Sequence, residues 1–355
     1  MPDIDVLVLG GAGVDTIVYV PELPLPFADS YMIRPGIETR AGQSGDFVAL
    51  GVREPGLRTH HLDMVGDDRE GDLVRALHRE RAIPFTEIPL SGGTKRAVNL
   101  VGPDGRRLSL YDDSRSRDTD RLPEVTVRAL AAASRHAHVA ITHPCAYAMP
   151  LLREAGVTIS TDLHDWDGIN PYHEPFALAA DIVFVSATAL ADPERTMRDI
   201  AARGRARIVV AMAGAGGAHV LADGELTHVP AVTPPASVVD SNGAGDAFAS
   251  AFLLGWLDGE DPRRCALYGA VASRHRRPHH HGARRPGPTR RLRPLTDSRA
   301  CVRPATNDVP SLKSSPPVPA PWQHGQSPHP GTARLAQPDR VRGEALCRAD
   351  PNNRT

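Results

Sequence analysis

Cysteine is scarce: four residues in 355, Cys145, Cys265, Cys301 and Cys347, stand far apart with no C-x-x-C pair. That spacing argues against a cysteine zinc site and against a disulfide framework, and fits a reducing compartment. No apolar run approaches the length of a membrane span, so insertion is not expected. The opening Met1-Pro2-Asp3-Ile4-Asp5 lacks a basic region ahead of an apolar core, so no export leader is expected and a cytoplasmic setting is.

Net charge is also small, formally −1, but it averages two unlike regions. Residues 273–355 hold 16 of the 41 Lys+Arg and only 5 of the 42 Asp+Glu, so the body carries about −12 and the tail about +11. The tail mixes its arginines with about 14 prolines and scattered single apolar residues, too few to offset the entropy of ordering them, so disorder is expected. Without a periodic basic face it is not read as a nucleic-acid arm. Its His279-His280-His281 run is read as compositional noise, able to bind metal only adventitiously. Because Ala266–Ala272 reads as a helix that stops in mid-pattern, the tail is expected to be an out-of-frame translation. An indel near codon 273 in the parent gene is the test.

What is present in residues 1–272 is an alternation of apolar runs with amphipathic stretches, long enough for one large α/β domain. Strands are expected at Ile4–Leu9, Val139–Thr142, Val157–Thr161, Ile182–Val185 and Ile208–Ala211, with helices through Pro123–Ala133, Met149–Glu154 and Pro193–Ala202. The spacing is that of parallel crossovers. Two segments, Thr16–Arg40 and Lys95–Tyr111, break the rhythm and read as a small projecting sheet. The second carries a hairpin turn at Val101-Gly102-Pro103-Asp104-Gly105, and a further Asp-Gly turn, Asp223-Gly224, joins His219–Ala222 to Leu226–Val229.

The segment Val238-Val239-Asp240-Ser241-Asn242-Gly243-Ala244-Gly245-Asp246-Ala247-Phe248 sets a glycine-rich turn before an apolar helix, Ala247–Leu257. Small residues admit a phosphate to the backbone, and N–H groups at a helix N-terminus carry partial positive charge, which together make an anion hole. Asp246 is placed to accept a proton from an attacking hydroxyl. Taken alone, the same residues also read as a Gly-rich loop with Asp246 as an ordinary first-turn acid.

The extended string resembles the D-T-x-G-A-G-D signature of the ribokinase-like (PfkB) carbohydrate kinases. Four shorter elements resemble that family's in order and spacing: Gly11-Ala12-Gly13-Val14-Asp15, Ala41-Gly42-Gln43-Ser44-Gly45-Asp46, Val65-Gly66-Asp67-Asp68-Arg69-Glu70-Gly71 and Gly214-Ala215-Gly216-Gly217-Ala218. The resemblance implies a three-layer α/β/α sandwich with a β lid at about 16–40 and 95–111, and transfer of the γ-phosphoryl of ATP, with Mg²⁺, to a sugar-like hydroxyl. Asp246 would be the base, and Gly243, Ala244 and Gly245 the anion hole. Asp15, Gly42 and Asp46 would hold the acceptor, and Asn242, Gly214 and Gly217 the nucleotide. Asp240 and Asn242 would supply half of a K⁺ site. Pairing through the lid into a homodimer is also implied. A nucleoside acceptor and a catalytically impaired ligand-binding relative both stay open.

This sequence departs from the family pattern at several points. Asp46 stands where the family usually has Asn, and a carboxylate cannot donate hydrogen bonds, so altered substrate preference is expected. Ser186 and Ala189 replace both polar anchors of the N-x-x-E element, which should lower rate rather than abolish nucleotide binding. Met212 stands where Thr is common. The segment after Ala272, which in the resembled fold completes the adenine pocket, is replaced by the tail, so poor folding or weak activity is expected. Three other features carry less. Gly11-Ala12-Gly13 lacks the third glycine of a dinucleotide fingerprint, with Thr16 in its place. Asp67 and Asp68 read as a solvated turn. Asp162, His164, Asp165 and Asp167 read as a polar loop without ligand spacing.

Overall fold

The computed structural model describes residues 2–233 and 241–273. Asp240, Cys301, Cys347, His279-His280-His281 and the expected tail from 274 onward lie outside the described residues.

The elements run β1 (Ile4–Leu9), β2 (Val14–Tyr19), β3 (Glu38–Ala41), α1 (Ser44–Arg53), β4 (Thr59–Val65), α2 (Arg69–Glu80), β5 (Phe85–Pro89), β6 (Arg96–Val101) and β7 (Arg107–Tyr111). They continue α3 (Glu124–Ala132), β8 (Ser134–Val139), α4 (His143–Glu154), β9 (Thr158–Asp162), α5 (Glu174–Ala179), β10 (Ile182–Ser186), α6 (Pro193–Arg203) and β11 (Ile208–Met212). Last come β12 (Ala218–Ala222), β13 (Glu225–Val229), α7 (Ala244–Leu257) and α8 (Pro262–Ser273). A nine-stranded sheet has the order β13-β12-β11-β10-β9-β8-β1-β4-β5. It is parallel from β11 to β5, while β12 and β13 pair antiparallel at one edge. A second sheet, β3-β2-β6-β7, is the small sheet expected from the two arrhythmic segments.

Strand periodicity splits the core into two faces. Leu7 and Leu9 pack with Val183, Val185, Val209 and residues of α3 to α6 such as Val127, Leu152, Phe176 and Met197. On the opposite face Val6 and Val8 meet Val48 and Val52 of α1, and Ile182, Phe184 and Val210 meet Phe248, Phe252 and Leu253 of α7. Neighbouring residues on one strand point to opposite sides, which is why both faces need cover and why these strands read as continuous apolar runs. Each such large side chain contributes roughly 1.5–3 kcal/mol on burial.

Three strands differ from the sequence expectation. β8 spans Ser134–Val139 rather than Val139–Thr142, and β4 and β5 were not foreseen. The reason is polar content. His136 and His138 on β8 are fully enclosed because His136 bonds Thr158 Oγ1 at 2.9 Å and Ser160 Oγ at 2.7 Å, while His138 bonds Ser160 Oγ at 2.9 Å. Burial pushes them down to about 3 and about 4, respectively, so both are neutral core residues.

The N-terminal end of the sheet is tied by charge. Asp5 accepts from Arg58 Nε at 3.0 Å and Nη2 at 2.8 Å, and from Arg135 Nη1 at 3.3 Å. The Arg58 hydrogen bond, opposed by burial, holds the carboxyl down at about 2. A lowered carboxyl pKa stabilises the fold above the unfolded value and loses that contribution as pH falls through the folded one. Asp5→Asn is therefore expected to lower stability by about 1–2 kcal/mol at neutral pH, allowing for the exposed arginines, and to remove the step between about pH 4 and 2. Urea unfolding of both proteins across that range checks it.

Candidate active site

Parallel strands end on the same edge of the sheet, and loops leaving that edge converge where ligands bind in open α/β folds. Here β9, β10 and β11 end in Asp162, Ser186 and Met212, and the turn after β1 leads through Gly10–Gly13 to Asp15 on β2. Helix α7 enters beside them. Gly243 caps it in the left-handed region, with φ of 73°, a conformation that costs glycine little. Its first turn follows with Ala244, Gly245 and the buried Asp246. At 14 residues the helix has a full dipole behind that turn.

Of the three anion-hole residues expected, Ala244 spends its N–H on the Ser241 carbonyl at 3.1 Å. Gly245 faces inward: a Cβ built there would stand 3.4 Å from Asp162 Oδ2 and 3.4 Å from the Met212 methyl. Asp162, read from sequence as a loop acid, is thus a buried carboxylate beside the α7 N-terminus. Only its place at the end of a parallel strand could have signalled this. Ser186 ends β10 with its hydroxyl 2.8 Å from Thr188 Oγ1, and no carboxylate stands at Ala189.

Asn242 joins the two halves of the site. Its Nδ2 donates to Asp15 Oδ2 at 3.2 Å, and its Oδ1 accepts from Arg107 Nη1 on β7 at 2.5 Å. Asp15, at the start of the small sheet, also accepts from Gln43 Nε2 at 3.5 Å. Burial raises the Asp15 pKa, opposed by the Asn242 hydrogen bond and the Arg107 charge. The tip of the β6–β7 hairpin closes on the same loop, since Gly105 O accepts from Ser241 N at 3.2 Å and from Ser241 Oγ at 2.8 Å. Sequence reasoning missed Arg107 and Gln43. Gln43 lies inside the second glycine element but was given no role there, and only the register of the small sheet brings Arg107 in.

Gly42 donates its N–H to Gly13 O at 3.0 Å, placing it against the Asp15 turn. Asp46, expected to orient the acceptor directly, is instead fully enclosed. Its Oδ2 accepts from Gly13 N at 3.1 Å and Gln43 N at 3.3 Å, so it braces the turn that leads to Asp15. Gly214 and Gly217 flank the turn after β11, where Gly217 O accepts from Ala213 N at 2.8 Å.

The N-terminus of a long helix, with a buried aspartate in its first turn and a second polar turn hydrogen-bonded to the loop before it, is an arrangement suited to an anion beside a polar ligand. Comparison with known proteins agrees. The chain is 58% identical over 270 residues to acarbose 7(IV)-phosphotransferase from Actinoplanes sp., covering 76% of this chain and 90% of that protein. A solved microbiome-derived acarbose kinase superposes with a TM-score of 0.71 at 45% identity, covering 77% of this chain and 92% of that one. Arabidopsis thaliana ribokinase, solved with ribose and ATP, shares the fold at a TM-score of 0.61 and 18% identity, over 76% of this chain and 91% of that one. No helix among the described residues is long and apolar enough to cross a membrane. Residues 3–281 match the pfkB family carbohydrate kinase model, and the chain belongs to that family of phosphotransferases acting on sugar hydroxyls.

Proposed function

We propose that the chain moves the γ-phosphoryl group of ATP onto a hydroxyl of a sugar-like acceptor of the acarbose kind, with Asp246 as general base. The observation that carries this is the Asn242 bridge: one side chain links the acceptor turn at Asp15 to the loop before α7, four residues ahead of Asp246. The acceptor hydroxyl, held by Asp15 and the Gly42 turn, would face Asp246. The N–H groups of Gly243 and Gly245 and the α7 dipole would face the transferring phosphoryl, with Gly214 and Gly217 under the nucleotide. Asp46 would fix the Asp15 turn from behind. The lid hairpin, tied to Ser241, would keep out water, which otherwise competes as acceptor.

Mg²⁺ fits this site because Asp162 places a buried carboxylate beside the α7 N-terminus. When bound, Mg²⁺ would neutralise phosphate charge, and Asp162 would hold it in place of the acid missing at Ala189. Kinase residues would end near 272, the boundary where composition changes.

The test is ATP consumption in Mg²⁺, with and without K⁺, against acarbose, ribose, fructose and adenosine. Turnover with acarbose supports the reading, and turnover with adenosine alone replaces it by a nucleoside kinase. Nucleotide binding with no turnover, a result that Ser186 and Ala189 would favour, replaces it by an impaired relative.

The small sheet exposes Leu108 and Leu110 on one face of β7, an apolar pair suited to a second copy of the chain. A dimer is the expected species in analytical ultracentrifugation, and Leu108→Glu with Leu110→Glu should give monomers. A monomeric parent protein would refute lid pairing.

A further inference from the structure

Behind the acceptor turn lies a cluster that the proposed reaction does not use: Asp46 on α1, His61 on β4 and His78 on α2, all buried. Its hydrogen bonding fixes the tautomers. His61 Nε2 lies 3.0 Å from Gly10 O, and His78 Nδ1 lies 2.9 Å from Val74 O. A carbonyl only accepts, so each of those nitrogens carries its ring's proton. The inner nitrogens, His61 Nδ1 and His78 Nε2, are then both lone pairs, yet they stand 2.9 Å apart. Asp46 Oδ1 stands 3.7 Å from the first and 3.6 Å from the second, with no hydrogen-bond donor of its own. Three acceptors thus face one another in a space closed to solvent, an arrangement that is unfavourable unless something positive sits between them.

We propose that Asp46, His61 and His78 bind a borderline transition dication of the Zn²⁺ type, a structural site beneath the acceptor turn. The distances suit it. A triangle with sides of 2.9, 3.6 and 3.7 Å has a centre about 2.0 Å from every corner, the Zn–N and Zn–O bond length. The surroundings suit it too, because ligating histidines typically donate their other N–H to a backbone carbonyl, as both do here. Two imidazoles with one carboxylate select Zn²⁺, Co²⁺ or Ni²⁺ over Mg²⁺ or Ca²⁺, which take oxygen ligands. A proton on Asp46, whose carboxyl burial pushes up to about 8, is the competing occupant, and it would leave the parent protein with no retained ion. A surface depression of about 350 Å³, lined by Arg75, Arg79, Ala82, Pro84 and Phe85, borders His78.

The consequence is mechanical. The ion would clamp β4 and α2 to the Asp46 carboxylate, whose other oxygen holds Gly13 and Gln43. This extends the proposed function without depending on it, since its readouts are metal content and stability. The experiment uses the full chain, untagged, with His279, His280 and His281 changed to Gln so that the tail run cannot bind metal. After exposure to Zn²⁺ or Co²⁺ and exhaustive desalting, about one ion per chain should remain. X-ray absorption should show two imidazoles and oxygen. Chelation should lower Tm by about 5 °C or more. His61→Asn and His78→Gln should each lose the ion. Asp46→Asn, which keeps the shape, should weaken retention at least tenfold. The proposal is overturned if the parent retains no ion, if the absorption spectrum lacks imidazole, or if the metal-free protein is as stable as the loaded one. Should the histidine variants fail to fold, metal content and spectrum of the parent still decide it.

Discussion

Asparagine at position 246 should lower phosphotransfer turnover by about 10³-fold while ATP still binds, as expected for loss of a general base. The substitution is close to isosteric, and the position is the first turn of a 14-residue helix, so its structural cost is small. Removing one negative charge near a helix N-terminus costs about 0.3–1 kcal/mol. The two readings of Asp246 therefore separate by orders of magnitude. A first-turn acid would show a modest Tm change and a nearly intact kcat; a base would show the reverse. Measuring kcat by ATP consumption, nucleotide affinity by calorimetry and Tm on one preparation decides it, and a variant within tenfold of the parent would rule out Asp246 as the base.

Those same residues show what the sequence could reveal. The turn ahead of α7 was legible because a glycine-rich run directly before an apolar stretch marks the entry to a helix, whatever its acid does there. The apolar strands β1, β9, β10 and β11 were legible because parallel strands covered on both faces need unbroken hydrophobic runs. β4 and β8 were not, because His60, His61, Asp63, His136 and His138 make a buried strand read as a polar one. Burial there is sustained by long-range partners: His136 meets Thr158 and Ser160, and Asp63 meets Lys95 Nζ at 2.8 Å. Pairings across 20 to 50 positions leave no periodic trace. The same holds in the site, where Asp15, Asn242 and Arg107 meet only because the small sheet folds over the loop before α7. Asp46 shows the converse. A resemblance assigned it to the cleft, but replacing a neutral amide with a carboxylate changes what the position must face, and it faces two histidines.

The largest structural effect is expected from adding one methyl group, in Gly45→Ala. Helix α1 begins so close to the turn after β1 that Gly45 N donates to Gly11 O at 2.9 Å and Asp46 N to the same oxygen at 3.2 Å. A Cβ at position 45 would overlap the Gly10 carbonyl oxygen and stand 2.9 Å from Gly10 C and 3.0 Å from Gly11 C. All three are backbone atoms, so no side-chain rotation relieves the overlap, and α1 or the turn must move. A backbone shift of this kind costs about 3 kcal/mol or more, which corresponds to a Tm lower by roughly 5–10 °C in a domain of this size. The displaced turn is the one that carries Asp15, so acceptor KM should rise much more than ATP KM. Gly36→Ala is the matched control, because a Cβ there meets nothing within 4 Å, and it should leave Tm unchanged or raise it slightly by restricting the unfolded chain. Thermal melts of the three proteins with acceptor and ATP titrations would check this. Equal losses for both substrates would mean that α1 supports the whole sheet rather than the acceptor turn in particular.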